Sequence, residues 1–519
     1  MNRRPLRLAL SFVFVIALRC SVWAHIGSPS VFFDGQAGPY PVHVVILPPE
    51  VIPGLAEISV RVEAGGIERV TALPMKWNTG RKGAPPPDVA RLVRGETNLY
   101  SAQLWFMEGG AQSVEIELFG SSGRGRATVP VDAVARRVLT MPKNLGGILS
   151  ALGLLLFALL VSLVGAAVRE SVLEPGAATS TKRRWGARGA MAGGGALLIL
   201  LLWGGRKWWE SEAADYRNNR LTQPTSASAR VNNENGRRRL RLEIDDPKFA
   251  RSSPLVPDHG KLMHLFLVRE PRLDAFAHLH PLKRDRKTFE TLLPDLPEGS
   301  YRLYADVTHE TGASETITTA VDVPPQTGVG ATEGNSTLQD ADDSWRMSSP
   351  PEASRGNRES RLSDDYTMSW SAPARLELNS PVRLDFTVRN TNGESVKLEP
   401  YLGMRGHLAL RREDGAVFTH LHPGGSASMA AMQLSVLRSE GKLPFKAAFG
   451  AEDPICELPA AAPGEEDWLR GNASTDSSRV SFPYAFPKTG HYRLWVQVKI
   501  NGEVRTGIFD VEVQPFAKT

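Results

Sequence analysis

The residues of this chain best suited to chemistry are histidines, and six of its 11 histidines occupy matched positions in two similar segments. They are His264, His278 and His280 in the first segment, and His407, His420 and His422 in the second. An H-x-H pair on a β-strand projects both imidazoles from one face, because side chains alternate along a strand. Neutral imidazoles on one rigid surface are ligands for copper or zinc. The pattern predicts a metal site in each segment, and a hydrogen-bonded structural cluster is the alternative.

The turn of the second segment sets the register of its two strands. Asp-Gly at 414–415 is a strong signal for a two-residue hairpin loop. Counting outward from that turn pairs His407 with His422 and Ala409 with His420. The three histidines of this segment are therefore expected on one face, within reach of one another.

The turn of the first segment, residues 270–274, leaves its register open. A two-residue loop there would place His264 opposite Leu279. A longer or bulged loop is needed to bring His264 opposite His278 or His280. The sequence alone does not decide between these arrangements.

Four further side chains are weaker candidate ligands. Met263 and Met404 lie close in sequence to the histidines, and thioether ligands favour copper, especially Cu(I). If a leader is removed before His25, the new N-terminus can chelate copper through its amino group and ring nitrogen, with His43 as the other histidine of that domain. The alternative is that His25 is an incidental first residue. No motif predicts a catalytic residue, since a nucleophile elbow, a phosphate loop and HExxH are all absent.

The chain also carries signals for export and for membrane insertion. Residues 1–24 have the basic start, short apolar run and small residues of a secretory signal, with an uncleaved anchor as the alternative. Residues 145–168 and 189–205 are uncharged and predict two transmembrane helices. The basic loop 169–188 indicates the cytoplasmic side. The sequence thus predicts a two-pass protein of the bacterial inner membrane with both soluble regions on the periplasmic, extracytoplasmic side.

Outside these segments, short apolar runs alternate with Pro- and Gly-rich turns, which predicts a mainly β fold. We expect three immunoglobulin-like or cupredoxin-like β-sandwich domains besides the two transmembrane helices. The expected ranges are an exported sandwich at 25–140, a linker at 210–235, a first repeat at 236–325, a disordered linker at 326–369, and a second repeat at 370–515 with an insertion at 424–480.

Charge and cysteine content exclude several classes of function. The net charge of +5 is small for 519 residues and predicts no nucleic-acid partner. Cys20 falls in the leader, which leaves Cys456 as a single thiol. An internal disulfide of the mature chain and a CxxC redox or zinc site are therefore excluded.

The repeated motifs carry a resemblance to a known class of protein. "MHLFLVR…FAHLHP…LPEGSYRLYADV" and "GHLAL…FTHLHP…FPKTGHYRLWVQV" resemble bacterial membrane-anchored envelope proteins with YtkA-like or CopC-like β-sandwich domains. The resemblance implies an immunoglobulin-like sandwich, sometimes linked with copper handling. The order of leader, β-domain, two membrane helices and β-domain is also similar to the copper-carrying subunit of methane and ammonia monooxygenases. This chain differs from that subunit in having no H-x-H pair in its N-terminal domain.

The leading hypothesis is a membrane-embedded, non-catalytic periplasmic protein that binds a transition metal through its duplicated histidines. Copper is the first expectation and zinc the alternative. Metal handling or sensing would involve metal-trafficking or other envelope proteins as partners. Two other hypotheses are a structural or interaction protein whose histidines bind no metal, and a copper oxygenase-like membrane subunit.

Overall fold

The computed structural model describes residues 25–26, 30–174, 176–234, 236–246, 249, 254–326, 338–371, 373, 375–442 and 476–516. The predicted leader, Cys456 and most of the predicted insertion lie outside these residues. The described chain is mainly β, with several sheets and two long apolar helices, which confirms the predicted fold class. It divides into a β unit (residues up to 49, 53–133 and from 224 onward) and a helical unit (50–52 and 134–223).

The N-terminal domain is an eight-stranded sheet in the order β2-β3-β4-β7-β6-β5-β8-β9. Its first and last strands come together, since a Cβ placed on Gly125 would lie 1.9 Å from the carbonyl oxygen of Ala37. The curled sheet encloses a core of alternating side chains such as Val42, Val44 and Ile46, each at most 1% exposed. The eight strands are β2 (Val31–Ala37), β3 (Tyr40–Leu47), β4 (Gly54–Val62), β5 (Ile67–Lys76), β6 (Asp88–Leu92), β7 (Leu99–Phe106), β8 (Gly110–Gly120) and β9 (Gly123–Ala133). The short strand β1 (His25–Ile26) precedes them and joins a sheet of the second module.

The helical unit holds two helices that are long and apolar enough to cross a membrane, α1 (Lys143–Glu170) and α2 (Thr181–Asp215). They pack through small residues, because a Cβ on Gly165 would lie 2.5 Å from the Met191 sulfur. Both helices extend beyond the predicted apolar segments. Helix α2 begins at the Ser180 cap, whose hydroxyl accepts from the Arg183 backbone N–H, and its polar helix-forming tail continues to Asp215.

The first module is a two-sheet sandwich whose sheets run β10-β11-β16-β15 and β12-β17-β13-β14-β19, with β18 also on β17. The prediction of a linker at 210–235 is wrong for residues 227–234, which form β10. Ala227, Ala229 and Val231 alternate toward the core beside β11. Its strands are β10 (Ala227–Glu234), β11 (Arg237–Ile244), β12 (Leu255–Val256), β13 (His264–Arg269), β14 (Ala275–Leu279), β15 (Leu282–Lys283), β16 (Thr288–Leu292), β17 (Gly299–His309) and β18 (Ser314–Val323).

The segment from 338 onward was predicted as part of a disordered linker, and the structure contradicts this. Strand β19 (Ser344–Met347) pairs antiparallel with β14, and Asp343 just before it binds His280. The segment is poor in apolar residues, but a strand added to a sheet edge is held by backbone hydrogen bonds that need no apolar side chains. Residues 327–337 of the predicted linker lie outside the described residues.

The second module has the same two-sheet plan, with sheets β20-β21-β23-β26 and β1-β25-β24-β27-β28-β22. Within the predicted insertion, the described residues form one helix, α3 (Met429–Ser439), capped by the Ser428 hydroxyl. The strands are β20 (Glu359–Arg361), β21 (Tyr366–Ser371), β22 (Leu376–Glu377), β23 (Val382–Asn390), β24 (His407–Arg412), β25 (Val417–Leu421), β26 (Arg479–Tyr484), β27 (Gly490–Ile500) and β28 (Glu503–Gln514).

The two modules bury matching faces against each other. Phe276 of the first stacks on Trp495 of the second with ring centroids 4.8 Å apart, and Phe418 of the second stacks on Tyr304 of the first at 3.8 Å. Phe276 and Phe418 hold the same place in the two repeats, as do Tyr304 and Trp495. The modules are thus related by an approximate two-fold arrangement, and the aromatic stacks fix their separation.

A buried ion pair of the second module lies at the same interface. Arg493 is 0% exposed and binds Asp510 through Nε at 2.7 Å and Nη2 at 2.8 Å. Its Nη1 donates to the carbonyl of Leu273 in the first module at 2.6 Å. Every side of this guanidinium is therefore occupied by acceptors from both modules.

Replacing this arginine should destabilise the protein strongly. Arg493→Met leaves the Asp510 carboxylate buried without its cation, which is expected to cost about 3 kcal/mol of unfolding free energy. The matched control is Arg383→Met. Arg383 forms a partly exposed ion pair with Asp34, and losing this pair should cost less than about 1 kcal/mol. Denaturant unfolding of the full-length chain compares them, and equal effects would contradict this role for Arg493.

Candidate metal centre

The register of the first module brings its three histidines onto one face. Leu265 pairs with Leu279 and Phe266 with His278, so the continued ladder sets His264 against His280. The turn is one residue longer than a two-residue loop, and Leu273 absorbs the extra residue with a positive φ of 51°. The register that the sequence left open is thus the bulged one.

The second module has the register that its Asp-Gly turn predicts. Ala409 pairs with His420 and Leu408 with Leu421, which sets His407 against His422 by continuation. Gly415 of the turn has a φ of 74°, a conformation that glycine adopts without strain. The prediction for this hairpin is confirmed.

Each trio of histidines is close enough to share an ion. In the first, the ring centroids of His264, His278 and His280 are 4.7–5.3 Å apart. In the second, the three rings are 4.5–5.2 Å apart. In both trios one ligand nitrogen from each ring lies within 4.8 Å of the other two.

The two trios face each other across the module interface and form one cluster. The His264 ring lies 5.4 Å from His420 of the other module, as near as it lies to His278 at 5.3 Å. His278 is 5.8 Å from His420 and 6.2 Å from His407. The sequence predicted one site in each segment. The histidines share their strand faces with Phe276 and Phe418, and both faces lie at the one interface between the modules.

The outer nitrogens of the trios have partners that hold the rings in place. In the first trio, His280 Nδ1 lies 3.0 Å from Asp343 Oδ1 and His278 Nδ1 lies 2.9 Å from Gln497 Oε1. The Tyr401 hydroxyl is 3.2 Å from the same His278 nitrogen. Such contacts orient an imidazole toward a metal on its opposite nitrogen.

Two of these partners are exchanged between the modules. His278 of the first module reaches Gln497 of the second, while His420 Nδ1 of the second lies 3.4 Å from Asp306 of the first. Asp306 and Gln497 hold equivalent places on β17 and β27, opposite His264 and His407. One side of the cluster thus has a neutral amide where the other has a carboxylate.

A further group extends the cluster beyond the second trio. Asp258, His259 and His422 offer ligand atoms within 4.8 Å of one another. Asp258 also accepts a 2.9 Å bond from the Ala430 backbone N–H at the start of α3. At the opposite end, His280 forms a similar group with Asp340 and Asp343.

Three imidazole nitrogens of the cluster are buried without a hydrogen-bond partner in the described part of the chain. They are Nε2 of His280, Nε2 of His407 and Nε2 of His422. A buried polar atom left unsatisfied costs about 1–3 kcal/mol, so three in one cluster are unusual for a folded protein. A metal ion accepts the lone pair of an imidazole nitrogen, so bound metal would satisfy these atoms.

The surroundings keep the histidines in the form that binds metals. Burial is the main cause that holds the pKa of His264, His278, His407 and His420 well below 6.5, and neighbouring histidines lower it further. Burial also lowers the pKa of His422. Burial raises the pKa of Asp306 to about 7. These five imidazoles are therefore neutral at pH 7, as metal ligation requires.

The N-terminal domain covers the loop that follows His422. The Asp34 backbone N–H donates to the Gly424 carbonyl at 2.9 Å, and the Phe32 N–H donates to Ser426 Oγ at 3.0 Å. The two backbone segments approach so closely at Gly425 that a Cβ there would lie 1.9 Å from the Phe32 carbonyl oxygen. The N-terminal domain therefore holds this loop, and with it His422, in place.

The weaker candidates lie elsewhere in the fold. His43 binds Asp34 and Glu63 through its two nitrogens, each at 2.6 Å, and these contacts raise its pKa despite burial. Met263 packs in the core of the first module, on the face opposite His264. Met404 is buried in a turn with Tyr401, and it is Tyr401 that reaches the histidines. The backbone of His25 pairs in parallel with Val417 of β25.

Sequence reasoning missed the acidic and amide partners. Asp343 was assigned to a linker, Asp258 precedes a loop, and Tyr401 lies between strands. A usable signal was present for Asp306 and Gln497, which end the matched runs YRLYAD and YRLWVQ two residues beyond Tyr304 and Trp495.

One family model matches parts of both modules. The model of a domain of unknown function (DUF8832) matches residues 225–325, 360–452 and 462–515, a region that holds both trios. No curated protein matches the chain in sequence.

Several solved structures are weakly similar to the chain. The chain is similar to a tetra-tandem repeat from the extending region of a large adhesion protein, at 8% identity and a TM-score of 0.15, covering 89% of this chain and 71% of that one. It is similar to the ICAM-5 D1–D4 ectodomain fragment at 10% identity and a TM-score of 0.15, covering 92% and 78%. Fibronectin(III)-like modules of Clostridium thermocellum CbhA share 8% identity at a TM-score of 0.13, covering 56% and 93%. Likeness at this level carries no argument about function.

Proposed function

We propose that this chain is a membrane-anchored protein that holds a transition metal between its two β-modules, at the fused histidine cluster. The observation that carries the proposal is the set of unsatisfied buried nitrogens on His280, His407 and His422. An ion bound to the trios would satisfy these atoms. It would also give a reason for keeping so many neutral imidazoles in one buried place.

Copper(II) is the proposed ion, with zinc as its competitor. The donors are imidazoles with a few carboxylates nearby, and at such N/O sites copper(II) binds more tightly than zinc. Met263 faces the module core, so the thioether argument for Cu(I) does not support the choice.

The burial of the cluster favours a retained ion over one that is passed on quickly. The six histidines of the trios are at most 9% exposed, and the aromatic stacks close the interface beside them. Release of an ion would require the modules to separate. Within metal handling, this supports sensing or storage.

Metal uptake by the full-length chain in detergent tests the proposal. The metal-free protein is incubated with Cu(II), and separately with Zn(II), and the metal retained after gel filtration is measured. We expect retention by the wild type and by the His491→Ala control, since His491 lies toward the other end of β27, opposite Glu512. The double variant His278→Ala/His420→Ala should lose it. Absence of retained metal, or equal retention by the double variant, would refute the function.

The Asp343 carboxylate is expected to strengthen binding without touching the ion. Asp343→Asn weakens the bond to His280 Nδ1 and should lower metal affinity roughly 10- to 100-fold, as loss of such a supporting contact does elsewhere. Competition against a chelator of known affinity measures the change. Asp364→Asn, at an exposed surface pair, is the control and should leave affinity unchanged.

We infer that α1 and α2 cross the inner membrane as a hairpin and leave both β regions outside the cytoplasm. The basic residues between the helices and the export signal support this orientation. A reporter enzyme active only in the periplasm should be active when fused after residue 516 and inactive when inserted at 178. The reverse result would overturn the orientation.

A further inference from the structure

The two trios are too close to act as separate sites. The nearest rings of opposite trios, His264 and His420, are 5.4 Å apart, while rings within a trio are 4.5–5.3 Å apart. Metal–imidazole bonds are about 2.0–2.1 Å long, so an ion in one trio would stand within a few ångströms of an ion in the other. Ions about 3.5–4 Å apart are the usual arrangement when two metals share a bridging oxygen.

The distances between ring nitrogens within each trio are suited to one bound ion per trio. His264 Nδ1 and His278 Nε2 lie 3.1 Å apart, and His407 Nδ1 and His420 Nε2 lie 2.9 Å apart. Two ligands on one tetrahedral ion are separated by about 3.3 Å at ordinary bond lengths. Small ring movements would therefore convert the His264–His278 contact into a pair of metal bonds. In the second trio, reorientation of the His407 ring would bring its unsatisfied Nε2 to an ion bound by His420.

The acidic residues around the cluster supply the charge that two neighbouring cations need. Asp343 contacts His280, Asp306 faces His420, and Asp258 lies with His259 and His422. Asp340 lies beside Asp343, so two carboxylates stand behind the first trio and two beside the second. Together with a bridging hydroxide they supply negative charge close to the place where two divalent ions would bind.

We propose that the two trios form one dinuclear centre, in which two divalent ions are bridged by a hydroxide derived from water. The inference rests on the proposed function and makes it more specific. The water gives one proton to solvent, and its oxygen donates electron pairs to both ions with no change in their oxidation state. The bridging position is also where another small anion would bind.

Copper(II) and electron paramagnetic resonance test the inference on the full-length chain. We expect saturation at two coppers per chain, with a half-field line and a loss of ordinary signal intensity, because both effects arise from coupled pairs of copper(II) ions. The His278→Ala variant should retain a single copper with full, uncoupled intensity. The His491→Ala control should match the wild type.

The outcomes separate this inference from the function on which it rests. Two coppers with full uncoupled intensity would mean independent sites, and saturation at one copper would mean a single shared ion; either result overturns the dinuclear centre and leaves metal binding intact. No bound copper overturns both. If His278→Ala fails to fold, the wild-type spectrum at saturation still decides.

Discussion

Copper(II) added to the metal-free, full-length chain is expected to raise its thermal unfolding temperature by about 10 °C. Binding to the folded state alone stabilises it by about 4 kcal/mol when free metal is 1,000 times the dissociation constant. For domains of this size each kcal/mol shifts the midpoint by roughly 2–4 °C. The cause is that the histidine cluster is assembled from both modules, so unfolding of either module removes one of its two trios.

The double variant His278→Ala/His420→Ala provides the comparison for this shift. Its metal-free form should melt lower than the wild type, because two buried side chains and the bond to Gln497 are lost. Added copper should leave its midpoint unchanged. Differential scanning calorimetry on both proteins, with and without metal, makes the measurement. An equal copper-induced shift in both would mean that the stabilising ion binds elsewhere.

Acid should destabilise the metal-free protein as the pH falls below about 6.5. Four buried histidines have a pKa well below the value of about 6.5 expected in the unfolded chain. Above pH 6.5 both states hold them neutral, so their contribution to stability is constant there. Below pH 6.5 the unfolded chain takes up protons that the folded chain cannot. Each such histidine then removes about 1.4 kcal/mol per pH unit.

The total effect at pH 5.5 is on the order of 5 kcal/mol for the four histidines. His43 and Asp306, whose pKa values are raised, work in the opposite direction and reduce this total, but they are two groups against four. Urea unfolding of the metal-free chain at pH 7.5, 6.5 and 5.5 measures the slope. His264→Asn/His407→Asn should roughly halve it. A wild-type stability that does not change between pH 7.5 and 5.5 would contradict the buried, neutral state of the cluster.

The sequence predicts local pairing in this chain much better than it predicts contacts between modules. The Asp-Gly turn at 414–415 determines which residues of β24 and β25 face each other, because a two-residue loop allows one register. Alternation along β14 likewise predicts that Phe276, His278 and His280 share a face. Periodicity says nothing about what covers that face. Here the face is covered by the other module and not by a core within the same module.

Amino-acid composition was a poor guide to strands that are held mainly by backbone hydrogen bonds. The residues after 338 are polar and were predicted to be disordered, yet β19 adds to the edge of β14 and brings Asp343 to His280. Strand β10 was hidden for a similar reason, because its alternating residues are small or only partly buried. Strands held mainly by backbone hydrogen bonds leave a weak pattern in the amino-acid types.

The reciprocal stacking of Phe276 on Trp495 and Phe418 on Tyr304 has a consequence for how such a centre can evolve. The arrangement is that of an isologous homodimer, with its two halves joined in one polypeptide. A true homodimer must carry the same residue at both symmetry-related positions. A tandem duplication is free of that constraint, and here one copy has Asp306 where the other has Gln497. Fusion therefore lets a single gene make the two halves of the cluster chemically different.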